Sequence, residues 1–554
     1  MSRKILGLFL LQVCLLMGIP ASAQHKHEMD QKVDMSRAPL LKGVGDIHHP
    51  VSTKNEMAQK YFDQGLSLIY AFNHLEAERA FVQAQKLDRK LAMAWWGQAL
   101  ALSPNINDPI TSDRAVKAYA AIQTAIKKQK KASAEERDYI NTLAKRFSTD
   151  KNADRAKLDM TYARAMGGFA KKYPDDPDAQ VLYASALMET MPWDYYEANG
   201  DPKPDIVIAQ NVLKATFERW PKHTGARHFY IHAVEASSTP DRGEESADVL
   251  GPLAPTAGHL VHMPSHIYLR VGRWEDAAEA NRKAALADED YISQCHAQGL
   301  YPVSYYPHNL HMGSFAASME GGSAEAIGLA KKMAEKIPAE VGDEMPGWGN
   351  IFTSLPVIAM VRFGRWEDIL QYKEPSAKLL ASRAIWHYGR GLALARTGHG
   401  EDAEKELREI EKIASDPALK DMKVGFNDAT KITAIARGLL AGELAGSRKQ
   451  YDEAVSQLER AVAAQDSLHY DEPEDWYLPA RHVLGAVLLE AGRPADAEQV
   501  YQKDLLQHRH NGWALFGLAH ALRAQGKNDE AERAEAQYAL AWAHADVKLT
   551  ASRF

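Results

Sequence analysis

Polar and apolar positions repeat in one short pattern along most of the chain: a glycine, a few mostly polar or acidic residues, then a small or apolar one. It reads GRWEDA at 272–277, GGSAEA at 321–326, GRWEDI at 364–369, GHGEDA at 398–403, GRPADA at 492–497 and GKNDEA at 526–531. A glycine turn followed by acidic residues marks the start of a helix after a sharp bend. Twelve residues before the last position of this pattern lies another small residue. Ser265, Ser314, Gly391, Gly485 and Ala519 thus pair with Ala277, Ala326, Ala403, Ala497 and Ala531. Small residues at a fixed offset predict two antiparallel helices in close contact. The same offset joins Gly65 to Ala77, with Phe81 and Ala84 continuing the second helix, and a looser version centres on YDEA at 451–454.

These residues resemble tetratricopeptide repeats (TPR), whose unit is a helix pair of about 34 residues with small residues where the helices cross. The spacings from 369 to 403 and from 497 to 531 equal that period. The resemblance covers residues 55 to about 104 and 225 to 545. It implies an all-α fold, a right-handed α-solenoid of TPR-like helix pairs whose first helices line a concave groove. A peptide or partner protein held in that groove is the usual work of such repeats. Residues between these two stretches read as helical but out of register, with SAEE at 133–136 as a capping box and YPDDPDAQ at 173–180 as a connector. The strings YIHAVEAS (230–237) and GHLVHMPSHIY (258–268) are similar to a group of exported bacterial repeat proteins. That likeness implies fold and export, and leaves chemistry to the residues.

The beginning of the chain changes the picture of where it works. Arg3 and Lys4 precede the apolar run ILGLFLLQVCLLMGI, and Ala21-Ser22-Ala23 supplies small residues for cleavage. This predicts a secretory signal peptide over 1–23 and a periplasmic or secreted protein with no membrane insertion. Cys14 leaves with it, so Cys295 alone remains and no internal disulfide is expected. The expected organisation is a flexible segment at 24–54, partly degenerate helical repeats at 55–224, histidine-rich repeats at 225–345 with an insert at 286–306, and C-terminal repeats at 346–554. Sixty-six basic residues against 73 acidic, without a basic block, give no footprint for nucleic acid.

Candidate chemistry concentrates in histidine. His259 and His262 lie eighteen and fifteen residues before Ala277, and His308 and His311 lie eighteen and fifteen before Ala326. Two neighbouring repeats therefore place histidine at the same two positions. An i, i+3 spacing sets both rings on one helix face, and His266 continues it. In HFYIHAVE, His228, His232 and Glu235 form another stripe at i, i+4 and i+7. Neutral imidazole is the commonest metal ligand, and a pair one turn apart can hold an ion from one helix. These seven histidines are the candidate ligands, enough for two ions. Glu235 is the candidate catalytic carboxylate, acting as ligand, as orienter of an imidazole or as general base. An imidazole-rich set in an exported protein suits a divalent transition metal, zinc or copper, better than magnesium.

Other residues are weaker candidates. Trp193 and Glu189 in ALMETMPWDYY could wall the same groove, Glu189 also as an extra ligand. The insert could be a lid or packing, and Cys295 beside His296 suggests a nucleophile pair only if adjacent side chains could face each other. Gln24-His25-Lys26-His27 and His48-His49 are histidine pairs near the mature start. Two functional classes follow. One is a metal-dependent hydrolase or oxidase acting on a small-molecule substrate. The other is a metal-free scaffold for a peptide or protein partner.

Overall fold

The computed structural model describes residues 38–150, 152–197, 199–295, 300–336 and 346–554. The proposed signal peptide, the Gln24–His27 stretch and His296 lie outside them. The described residues are all-α apart from a two-residue antiparallel pair, Lys423–Val424 with Asn427–Asp428. They divide into two compact units: 38–267 with 280–309, and 268–279 with 310–554.

Helix starts follow local chemistry. The Asn55 side chain accepts from the backbone N–H groups of Met57 and Ala58, starting Glu56–Tyr70. Ser133 and Glu136 form the expected capping box at the head of Ala134–Leu143. Asp176 caps Pro177–Met188 with proline in its first turn, where a missing N–H removes no helical bond. The small-residue pairs sit where the helices touch. A Cβ on Gly65 would fall 2.7 Å from the Phe81 ring, and Ser314 Oγ donates to the Ala326 carbonyl at 2.8 Å.

The repeat turns share a left-handed backbone residue five positions before the small residue of the second helix. Gly272, Gly321, Gly364, Gly398, Gly492 and Gly526 hold φ values of 63° to 87° there. Two repeats depart from glycine: Phe72, five before Ala77, has φ 57°, and Lys449, five before Ala454, has φ 61°. A side chain at such φ is strained, so a buried phenylalanine there implies a compensating contact.

In the unit that carries most of the candidate histidines, Phe62, Phe81, Trp96, Tyr139 and Phe169 form an aromatic core with ring centroids 4.3–6.3 Å apart. Residues 38–54, expected to be flexible, are instead held on this core. Leu41 N–H donates to Gln64 Oε1, His49 Nδ1 pairs with Asp178 Oδ2 at 2.8 Å, and Ser52 N–H donates to Glu136. Buried acceptors on three helices thus give an otherwise irregular segment fixed partners.

Candidate metal centre

Helix Thr224–Val234 buries all of its residues, so its polar side chains must find partners inside the protein. His223 caps it, with Nδ1 accepting from the Ala226 N–H at 3.2 Å and Nε2 3.2 Å from Asp178 Oδ1. One turn apart on this helix stand His228 and His232, and Glu235 follows at its end. The next histidine comes from the short helix Gly258–His262. A Cβ on Gly258 would fall 1.8 Å from Asp288, so only glycine lets this carboxyl approach. Burial pushes the Asp288 carboxyl up to about 7, against the Tyr301 and Asn309 bonds that pull it down. Tyr301 Oη donates to it and accepts from the His259 N–H, at 2.7 and 3.0 Å.

Pro264, whose place in the sequence reads as a late helix start or a kink, divides the histidine-bearing stretch into two helices. It cannot donate to a carbonyl one turn back, so Gly258–His262 ends and Pro264–Val271 begins with proline at its first position. His259 and His262, expected to present their rings together, fall into different sets. His228, His232 and His259 bring ligand nitrogens within 4.8 Å of one another, and His262, His266 and His308 do the same. Each set is an i, i+4 pair plus one histidine from a neighbouring element. His311 joins neither: it is buried against Tyr477 in the other unit, ring centroids 5.8 Å apart, and burial pushes it down to about 3.

The ring nitrogens show how the sets are prepared. His228 Nδ1 donates to the Tyr70 carbonyl at 2.7 Å, and His262 Nδ1 to Asn281 Oδ1 at 2.8 Å. Glu235 holds one ring from each set: His232 Nδ1 on Oε1 at 2.9 Å and His266 Nδ1 on Oε2 at 2.7 Å. Burial would raise this carboxyl, but the two histidines hold it down, at about 2. Glu235 is therefore an anion between two Nδ1–H donors.

With the proton on Nδ1, the rings of His228, His232 and His262 each present a lone pair on Nε2. His262 Nε2 and His266 Nε2 lie 2.9 Å apart, and His228 Nε2 lies 3.1 Å from His259 Nε2. His259 Nδ1 and His232 Nε2 have no hydrogen-bond partner. Burial, reinforced by neighbouring imidazoles, holds His228, His259 and His262 well below the ordinary imidazole range, so extra protons are disfavoured. A metal–nitrogen bond of about 2.0–2.1 Å with an angle of about 90–109° places two ligand nitrogens about 2.9–3.4 Å apart. The observed spacings match. Nδ1 anchored on carboxylate, amide or carbonyl is the usual support of a metal-ligating histidine.

Aromatic rings close over the first set, so these imidazoles lie in the interior and do not line an open groove. Phe72 stacks on His259 and His232 at 5.1 and 5.9 Å and meets His228 edge-on at 4.6 Å. Trp193, also left-handed at φ 61°, stands edge-on to His232 at 5.3 Å. Tyr305, from the end of the insert, lies 5.0 Å from His259. Asn107 ties two of these walls, accepting from Trp193 Nε1 at 3.1 Å and reaching Tyr305 Oη at 3.5 Å.

Several other candidates have structural partners. Glu189 pairs with Arg146 and accepts from Ser185 Oγ. Cys295 is buried beside Glu76, its thiol pushed up to about 12, chiefly by burial, which removes a thiolate nucleophile. His48 is an exposed partner of Asp63. Sequence reasoning missed Phe72, Asn107 and Asn281. Phe72 alone had a readable signal, the glycine position of its repeat.

Comparison with known proteins agrees with the helix pairs. Residues 488–541 match the tetratricopeptide repeat family model. No curated protein matches. Among solved structures, yeast Tom70 is similar at 11% identity over 87% of this chain and 90% of its own, with a TM-score of 0.28. The human IFIT1 dimer with PPP-AAAA is similar at 14% identity, covering 88% and 95%, with a TM-score of 0.31. The P58(IPK) TPR domain is similar at 14%, covering 66% and 93%, with a TM-score of 0.19. The class defined is an all-α protein of helix pairs with a tetratricopeptide repeat near its C-terminus. Among the described residues, no helix is long and apolar enough to cross a membrane.

Proposed function

We propose that this chain is an exported repeat-helix protein that holds zinc or copper in a buried multi-histidine centre. One observation carries the reading: His262 Nε2 and His266 Nε2 meet at 2.9 Å while both Nδ1 atoms already face acceptors. Two lone pairs at that distance repel unless a cation lies between them, either a metal ion or a proton carried by His266 against Glu235, and burial keeps the proton off His262 itself. Three imidazoles per ion leave a coordination position for a small-molecule substrate. That favours a metal-dependent oxidase or hydrolase over a closed structural site. Glu235 serves it by orienting His232 and His266; acting as a general base would require releasing one of them.

The test is elemental analysis of full-length protein purified without a polyhistidine tag from the exported fraction, with N-terminal sequencing expected to begin at Gln24. Stoichiometric zinc or copper that is reduced in His232→Ala and in His262→Ala and absent when the two are combined is the expected result. Protein that holds no metal and takes none up on titration would return the chain to the other class, a metal-free scaffold for a peptide or protein partner.

A further inference from the structure

Resting on that metal reading, we infer that the centre is dinuclear, with one copper ion in each tri-histidine set, and that its ligand is dioxygen. Each set is complete by itself. In the first, ring centroids are 4.9 Å apart for His228–His232 and for His228–His259, and 6.1 Å for His232–His259. In the second, they are 4.8 Å for His262–His266 and for His262–His308, and 5.6 Å for His266–His308. The sets adjoin, with His259–His262 and His232–His266 each 5.7 Å apart. One ion cannot engage six rings arranged as two triangles; two adjacent ions can.

The donor chemistry admits copper. Glu235 meets both rings through Nδ1, so what each tri-histidine set turns towards an ion is ring nitrogen. Imidazole suits zinc and copper alike, and a set of three can hold copper in both of its oxidation states. Charge burial favours copper. Two cuprous ions bring two positive charges into this interior and two zinc ions bring four, so the copper pair is the less costly to bury.

The walls select the ligand. Phe72, Trp193 and Tyr305 surround the first set with apolar surface, and two of the three are held there by left-handed backbone. At the first set such a wall disfavours the water that hydrolysis consumes and favours a small apolar molecule. The step balances: each cuprous ion gives up one electron, and dioxygen takes both and is held as peroxide between two cupric ions. No bond to the protein forms or breaks, and return of the two electrons releases dioxygen.

The experiment uses full-length untagged protein, stripped of metal, loaded anaerobically with tetrakis(acetonitrile)copper(I) and desalted. Copper per chain is measured, then absorption and electron paramagnetic resonance after admitting oxygen. Two copper ions per chain are expected, with an intense charge-transfer band on oxygenation and no paramagnetic signal, because the two cupric spins couple. His308→Asn should retain one copper, lose the band and show an isolated cupric signal. His311→Asn, on the same helix but in neither set, should match the parent, and circular dichroism checks that both variants fold. One ion per chain, or a paramagnetic signal accounting for all the copper, overturns the dinuclear assignment. Two zinc ions with copper refused overturns the copper assignment and leaves the multi-histidine reading standing. Failure to bind any metal overturns both.

Discussion

Replacing Phe72 by glycine, alongside the same change at Lys449, isolates what the Phe72 ring does for the imidazoles. Both residues occupy the left-handed position of a repeat turn, at φ 57° and 61°. Left-handed backbone costs a residue with a Cβ about 1–2 kcal/mol. Glycine removes that cost but adds freedom to the unfolded chain worth about 0.5–1 kcal/mol. Lys449 is exposed, so Lys449→Gly should stabilise by roughly 0.5–1 kcal/mol. Phe72 is 4% exposed, its ring against His228, His232 and His259. Losing a buried phenylalanine costs about 3–5 kcal/mol, so Phe72→Gly should destabilise by a net of about 2–4 kcal/mol. The assay is urea and thermal unfolding of metal-free protein, with a drop in midpoint of about 4–7 °C for Phe72→Gly and a small rise for Lys449→Gly. Equal stabilisation by both changes would refute the reasoning, because the ring would then contribute nothing to the packing.

Glu235→Gln leaves one acceptor oxygen for two Nδ1–H donors, so metal affinity should fall about 10–100-fold with the number of ions per chain unchanged. Unaltered affinity in a competition titration would show that Glu235 does not orient the rings. His311 is pushed down to about 3 by burial, while an unfolded imidazole titrates near 6.5. Below that value the unfolded chain binds a proton that the folded one refuses, so stability falls as pH drops from about 6.5 towards about 3. His311→Leu should reduce the loss between pH 7 and pH 5 by about 2 kcal/mol; superimposable denaturation profiles for parent and variant would contradict this. His49 is shifted oppositely: burial alone would lower it, but its bond to Asp178 raises it to about 9. Its contribution is present below about 6.5 and lost as pH rises through about 9. His49→Ala should therefore speed proteolytic cleavage within residues 38–54 at neutral pH, and the difference between parent and variant should shrink above pH 9, where only the neutral ring's packing and hydrogen bond remain.

The helix pairs were legible because a helix crossing admits only small residues. That constraint fixes Gly65, Ser314 and Gly485 whatever surrounds them, as the Gly65 approach to Phe81 and the Ser314 bond to Ala326 confirm. The i, i+4 pair His228–His232 was legible for the same reason, since one helix face depends only on spacing, whereas His262 and His266 keep their i, i+4 relation across two helices. Which histidine completes each pair was not. That depends on Pro264 ending one helix and starting another, and on how Tyr305–Glu320 presents His308 but not His311. Partners such as Asn281 were beyond reach, because an acceptor for an Nδ1–H can come from any neighbouring helix and leaves no spacing to detect. The hold on residues 38–54 was hidden too. Its partners Gln64, Asp178 and Glu136 are ordinary helix residues until the fold assembles them.

The short helix Gly258–His262 supplies His259 to one set and His262 to the other. It works as a ruler. Three residues of helix span about 4.5 Å along the axis, and that span is fixed by bonds within one segment. Substitutions that loosen the docking of Thr224–Val234 or Tyr305–Glu320 can strip a ligand from a set. The separation of His259 from His262 would be kept even then.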